Sequence, residues 1–144
     1  MLLPVLDRAN IVTGLPSEPH EAAIRRAGQL LVDGGYVQPS YVEGMVRRDA
    51  GFSVAIGNAI AIPHGQEADK QAIEQTGLVV LTYPDGLDWN GERVKLVVGI
   101  AAKGDEHVEF LAQICEAFDE ESKVDAAVAA GDADELLHLL TPEA

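Results

Sequence analysis

Two nearly unbroken apolar runs decide the kind of fold open to this chain: Gly77-Leu78-Val79-Val80-Leu81-Thr82-Tyr83 and Val94-Lys95-Leu96-Val97-Val98-Gly99-Ile100-Ala101-Ala102. A strand with one wet face alternates apolar and polar residues, because successive side chains point to opposite faces. Continuous hydrophobicity instead calls for cover on both faces, which helices supply. Shorter β-rich runs at Phe52 to Ile56 and Ala59 to Ile62 flank Gly57-Asn58 and predict a tight reversal or bulge. Residues Ala9 to Leu15 predict a short first strand. Pro84-Asp85-Gly86 and Asn90-Gly91 read as turns.

The covering helices are also legible. Ser17 reads as an N-cap with Pro19 and Glu21 in the first turn; Ala22, Ile24, Ala27, Leu30 and Leu31 follow at helical spacing, and Gly34-Gly35 ends the pattern. Pro39-Ser40, with Glu43 in capping-box position, opens a second helix through Tyr41, Val42, Met45 and Val46 to about Ala50. A stretch after Gly65 is polar and reads as irregular. A third helix carries Val108, Leu111, Ile114, Cys115 and Phe118 on one face, so Cys115 reads as a small core residue rather than a nucleophile. Ser122 and Asp132 are plausible caps of two further short helices separated by Gly131, and His138 among leucines reads as a packing residue. Trp89 either plugs the core edge or forms a recognition surface; the plug is favoured because such rings bury most of their area. The expected fold is α/β: a central mixed β-sheet of four or five strands flanked by helices on both faces, in one domain over residues 1–144.

Composition limits what such a domain can do. At 144 residues and 47% hydrophobic content it can bury a proper core without metals or disulfides. A net charge of −14 argues against nucleic acid or an anionic membrane as partner, and would steer a neutral or basic protein towards it. One cysteine allows no internal disulfide, and neither a signal-peptide pattern nor the roughly eighteen apolar residues of a membrane span is present. The expected location is the cytoplasm.

The stretch with chemical promise is Gly57-Asn58-Ala59-Ile60-Ala61-Ile62-Pro63-His64-Gly65. Proline keeps Ile62 extended, and Gly65 puts no Cβ beside the imidazole, so His64 should be presented at a strand end. Backbone N–H groups of such a turn can cradle an anion. A lone histidine after a strand is more often structural or exposed than catalytic, so spacing alone leaves both readings open. Arg47 and Arg48 close the second helix, where either can complement the helix dipole; pointing about 100° apart, they cannot do the same job. His107 falls in the first turn of the third helix, where N–H groups suit a phosphate and a neutral imidazole is favoured, yet an exposed capping histidine fits as well. His20 lies beside glutamates and reads as solvent-exposed, without a role.

Taken together, Arg48, Pro63-His64-Gly65 and Gly99 to His107 resemble the mannitol/fructose-type enzyme IIA domains of the bacterial phosphoenolpyruvate:sugar phosphotransferase system. The similarity runs from the first helix to the helix after His107 and weakens after about Ser122; Tyr83-Pro84-Asp85-Gly86 makes it most like the mannitol type. The resemblance implies that His64 accepts a phosphoryl group on Nε2 from phospho-HPr and passes it to a cysteine of the IIB component. It implies that Arg48, sixteen residues before His64, steadies the phosphoryl oxygens and that His107 adds a hydrogen bond. No metal or cofactor is called for. Many mannitol systems fuse IIA to IIB and membrane IIC domains; this chain shows neither, so a separate diffusible component is expected. Three other readings compete: a nitrogen-type or fructose-type regulatory IIA protein serving another partner, a metal site of His64 and His107, and a hydrolase using His64 as base. The second lacks further ligands at suitable spacing and the third lacks a nucleophile motif.

Overall fold

The two apolar runs pair with each other as the antiparallel centre of a five-stranded sheet. The computed structural model describes residues 8–103 and 106–140, leaving aside the side chains of residues 106, 107, 110 and 137–140. Its strands are β1 (Ile11–Val12), β2 (Ala55–Gly57), β3 (Ile60–Ala61), β4 (Gly77–Trp89) and β5 (Glu92–Ala101), in the order β1-β4-β5-β3-β2. The sheet is mixed, since β1 runs parallel to β4 and β3 parallel to β5 while the other pairs are antiparallel.

Register explains why the central runs are apolar throughout. Leu78 opposes Ile100 and Val80 opposes Val98, and all four join a core with Ile114, Phe118, Val124 and Leu136. Ile114 comes from α3 (Glu106–Ala117) and Phe118 follows its end, while Val124 and Leu136 come from α4 (Glu121–Val128) and α5 (Ala133–Leu140). The alternate residues Val79, Leu81 and Val97 face a second core with Ala23, Ile24, Leu31 and Met45, from α1 (His20–Asp33) and α2 (Ser40–Gly51). Each apolar side chain of the two runs therefore enters one core or the other, at roughly 1.5–3 kcal/mol for a fully buried large aliphatic side chain. Helices cover both faces, as expected. No helix among the described residues is long and apolar enough to cross a membrane.

Several local expectations change. The first strand shrinks to two residues behind a 3-10 turn at Arg8–Asn10. Helix α1 starts at His20 after Pro19, and Ser17 makes no capping bond to it. Its end is as read: Gly35, at φ 79, takes the left-handed conformation that lets the chain turn away. The Ser40–Glu43 box does not form, because Pro39 takes the N-cap position and Ser40 is already helical; Glu43 Oε2 instead accepts from Arg25 Nη1 at 2.6 Å. A capping box forms instead at Gln66 and Asp69, opening a 3-10 helix over Glu67–Ala72 where an irregular stretch was expected. Pro84-Asp85-Gly86 is a bulge inside β4 rather than a turn: the register jumps between Thr82 and Leu87, with Gly86 at φ 75.

Asn90-Gly91 is the turn between β4 and β5, at φ 55 and 93. Trp89 closes β4 fully buried, so it is a plug, although in a strand rather than a loop. Cys115 is exposed, one position past the buried Ile114 that points inward in its place. Asp132 does cap α5, its Oδ1 accepting from the Glu135 N–H at 2.8 Å, whereas α4 begins after Glu120 and takes Ser122 into its first turn. The expected packing role of His138 lies outside the described residues.

Candidate active site

The Pro63-His64-Gly65 turn continues β3 and is bonded to the sheet on both sides. The Ile62 N–H donates to Val54 O at 3.0 Å, extending the ladder towards β2, and the Ile100 N–H donates to Pro63 O at 3.0 Å from β5. His64 is half-buried, and its Nδ1 lies 2.8 Å from Ile62 O. A carbonyl only accepts, so Nδ1 carries the proton and Nε2 carries the lone pair in the neutral ring. The turn thus selects one tautomer of His64.

Tyr41, from the first turn of α2, supports the other side of the turn. Its hydroxyl accepts from the Gly65 N–H at 2.8 Å and donates to Ile100 O at 2.9 Å. Burial pushes the phenol up to about 12, against the pull of the Gly65 bond, so it keeps its donated proton at neutral pH. Gly65 is required here for space rather than for an unusual φ: a Cβ would stand 2.6 Å from Tyr41 Cε1. Tyr41→Phe leaves the Ile100 carbonyl and the Gly65 N–H without this partner. We expect it to lower stability by about 1–3 kcal/mol, measured by denaturant unfolding with an unchanged m-value.

His64 and Arg48 open onto one cavity of about 280 Å³, shared with Gln66, Glu67 and Lys70. Arg48 is half-buried and held at the end of α2: Nη1 donates to Phe52 O at 2.5 Å, and the guanidinium carbon lies 5.6 Å from the Phe52 ring centre. Arg47 turns the other way, is exposed, and bonds Asp69 Oδ1 at 3.3 Å. The divergence expected of neighbouring helical residues therefore leaves only Arg48 on the cavity. Lys70 pairs with Glu67 at 3.2 Å. An anion cradle from the backbone does not form at Gly65 and Gln66, whose N–H groups are taken by Tyr41 and by Asp69 Oδ2 at 2.8 Å. Two positive side chains, Arg48 and Lys70, line the cavity instead.

His107 falls in the first turn of α3, as expected; its side chain, with Gly104 and Asp105 before it, lies outside the described residues. Sequence reasoning missed Tyr41 and Lys70 as cavity residues. A signal for the tyrosine was present: it precedes Arg48 by seven positions, two helical turns, and so shares its face. His20 is not a freely exposed residue. Its Nε2 lies 3.2 Å from Oδ2 of the buried Asp49, and its ring sits 5.1 Å from that of Trp89.

A mixed sheet that carries one tautomer-fixed imidazole and one guanidinium on a shared polar cavity defines a histidine-centred α/β protein. Over residues 4–142 the chain matches the family described as phosphoenolpyruvate-dependent sugar phosphotransferase system, EIIA 2, and it belongs to that family. It is 42% identical over 141 residues to the mannitol-specific phosphotransferase enzyme IIA component of Geobacillus stearothermophilus, covering 97% of each chain. It is similar to the crystal structure of IIA mannitol from Escherichia coli, with a TM-score of 0.87, 37% identity, and coverage of 93% of this chain and 97% of that one. The complex of enzyme IIA mannitol with phosphorylated enzyme IIB mannitol from Escherichia coli matches with a TM-score of 0.87 at 36% identity, covering 96% of this chain and all of that one.

Proposed function

We propose that this chain is the IIA phosphocarrier of a mannitol-type phosphotransferase system, taking a phosphoryl group from phospho-HPr on Nε2 of His64 and giving it to a cysteine of the IIB component. The reading is supported above all by the Nδ1 bond to Ile62 O, which puts the nucleophilic lone pair on Nε2. In the first transfer Nε2 attacks phosphorus as the donor's P–N bond breaks. Nδ1 keeps its proton, so the phosphorylated ring carries a positive charge that the Ile62 carbonyl faces. When the cysteine sulfur attacks, the P–N bond breaks and the pair returns to Nε2, leaving His64 neutral as it began. Neither step needs a base in this protein.

What remains for the protein is positioning and charge. Arg48 offers two parallel charged donors to the equatorial oxygens, and Lys70 adds charge from the 3-10 helix on the same cavity. In the same reading His107 adds a hydrogen bond from the first turn of α3. The cavity itself is lined mainly by polar side chains, and the apolar contribution beside it is Phe52, 76% exposed against Arg48.

The test is reconstitution with phosphoenolpyruvate, enzyme I, HPr and a mannitol-type IIB, followed by intact mass and site mapping. One acid-labile phosphate on His64 that moves to the IIB cysteine is the expected result. Phosphate that stays on His64 in the presence of IIB would return the regulatory reading.

A further inference from the structure

Asp49 follows Arg48 in sequence and is a buried carboxylate, 5% exposed, that the transfer chemistry above does not use. Its Oδ1 accepts from the Val54 N–H at 3.1 Å and from Trp89 Nε1 at 2.8 Å, while Oδ2 faces His20 Nε2 at 3.2 Å. Burying a carboxylate is costly, and a core of this kind is filled as well by an apolar residue. What the carboxylate does is pin the segment that leaves α2. Within that segment the Phe52 carbonyl receives Arg48 Nη1, and the Val54 carbonyl receives the Ile62 N–H. The Ile62 carbonyl in turn receives His64 Nδ1. Hydrogen bonds joined by the backbone at Val54 and Ile62 therefore connect Asp49 to the imidazole, and they act by fixing where each of these residues sits.

We propose that Asp49 is a positioning residue for phosphoryl transfer at His64: by fixing the 48–54 segment it aims Arg48 and sets the carbonyl that selects the His64 tautomer. The proposal rests on the phosphocarrier reading for its kinetic half only. Trp89 and His20 act through Asp49, holding its carboxylate from the sheet and from the start of α1. None of these three side chains lines the cavity shared by His64 and Arg48.

The experiment compares the full chain with Asp49→Asn, which keeps the shape and removes the charge. Long-range proton–nitrogen correlation of the unphosphorylated proteins reads the two ring nitrogens of His64. Transfer from phospho-HPr at several donor concentrations then separates kcat from KM. The expected result is a protonated Nδ1 in the wild type, nitrogen shifts moved towards a tautomer mixture in the variant, and kcat lowered about ten-fold or more with KM little changed. Unchanged His64 nitrogens and kcat in a folded but less stable variant would make Asp49 merely structural and overturn the proposal. If Asp49→Asn does not fold, Trp89→Phe and His20→Gln each remove one partner of the carboxylate, and the same displacement of the His64 nitrogens is expected at smaller size. Its absence from both would overturn the proposal equally. A wild type that takes no phosphate on His64 would remove the carrier reading, and the nitrogen shifts alone would then decide on Asp49.

Discussion

His64→Ala should yield a folded protein that accepts no phosphate at all. The side chain is half-buried at the rim of a cavity and bonds the backbone at Ile62 O. The fold does not depend on it: Pro63 O and the Gly65 N–H are held by Ile100 and Tyr41, independently of the imidazole. Chemistry, by contrast, has no substitute among the described side chains of the cavity. His20 is engaged by Asp49 on a different face of α2, and Lys70 is paired with Glu67. Intact mass after incubation with phospho-HPr, alongside a circular dichroism spectrum, checks both halves. Phosphate retained on another residue of the variant would remove His64 from the centre of the reaction.

Arg48→Ala should slow transfer by on the order of 10²-fold, the loss typical of one well-placed electrostatic donor. Its structural cost should be small, because the residue gives up one bond to Phe52 O and a stack on an exposed ring. Arg48→Lys should recover little, since an ammonium cannot make two parallel bonds to phosphoryl oxygens. Arg47→Ala is the matched control: its guanidinium serves Asp69, so transfer should stay close to wild type. Rapid-quench rates with phospho-HPr decide the matter, and equal rates for Arg48→Ala and wild type would mean the guanidinium has no part in the chemistry.

How far the sequence could be read depended on whether a signal was local. The central strands were legible because burial on two faces writes itself into every position from Leu78 to Leu81 and from Leu96 to Ile100. The Asn90-Gly91 turn and the Asp132 cap rest on neighbouring backbone and read correctly. The Ser40–Glu43 box failed because the helix takes in Ser40 and leaves Pro39 as the N-cap, and Glu43 is bound by Arg25 from another helix at 2.6 Å. Pro84-Gly86 was read as a turn because the extra residues of a bulge use the same turn-forming types, and pairing with β5 resumes only at Leu87. Cys115 was misplaced by one step around its helix, which is enough to exchange core for solvent. At the site, Arg48 and His64 carried recognisable spacing. The hydroxyl of Tyr41 and the carboxylate of Asp49 meet partners tens of residues away, and no local pattern announces them.

The two strand-to-turn bonds of Ile100 have a consequence for traffic. Its N–H holds Pro63 and its carbonyl holds the Tyr41 hydroxyl, so the peptide beneath His64 is tied to the central strand of the sheet. A phosphoryl group on such a mount has no arm on which to swing from one protein to the next. Donor and acceptor must visit the same small patch by turns, each leaving before the other arrives. The two should therefore be mutually exclusive ligands, and an excess of either should obstruct delivery by the other.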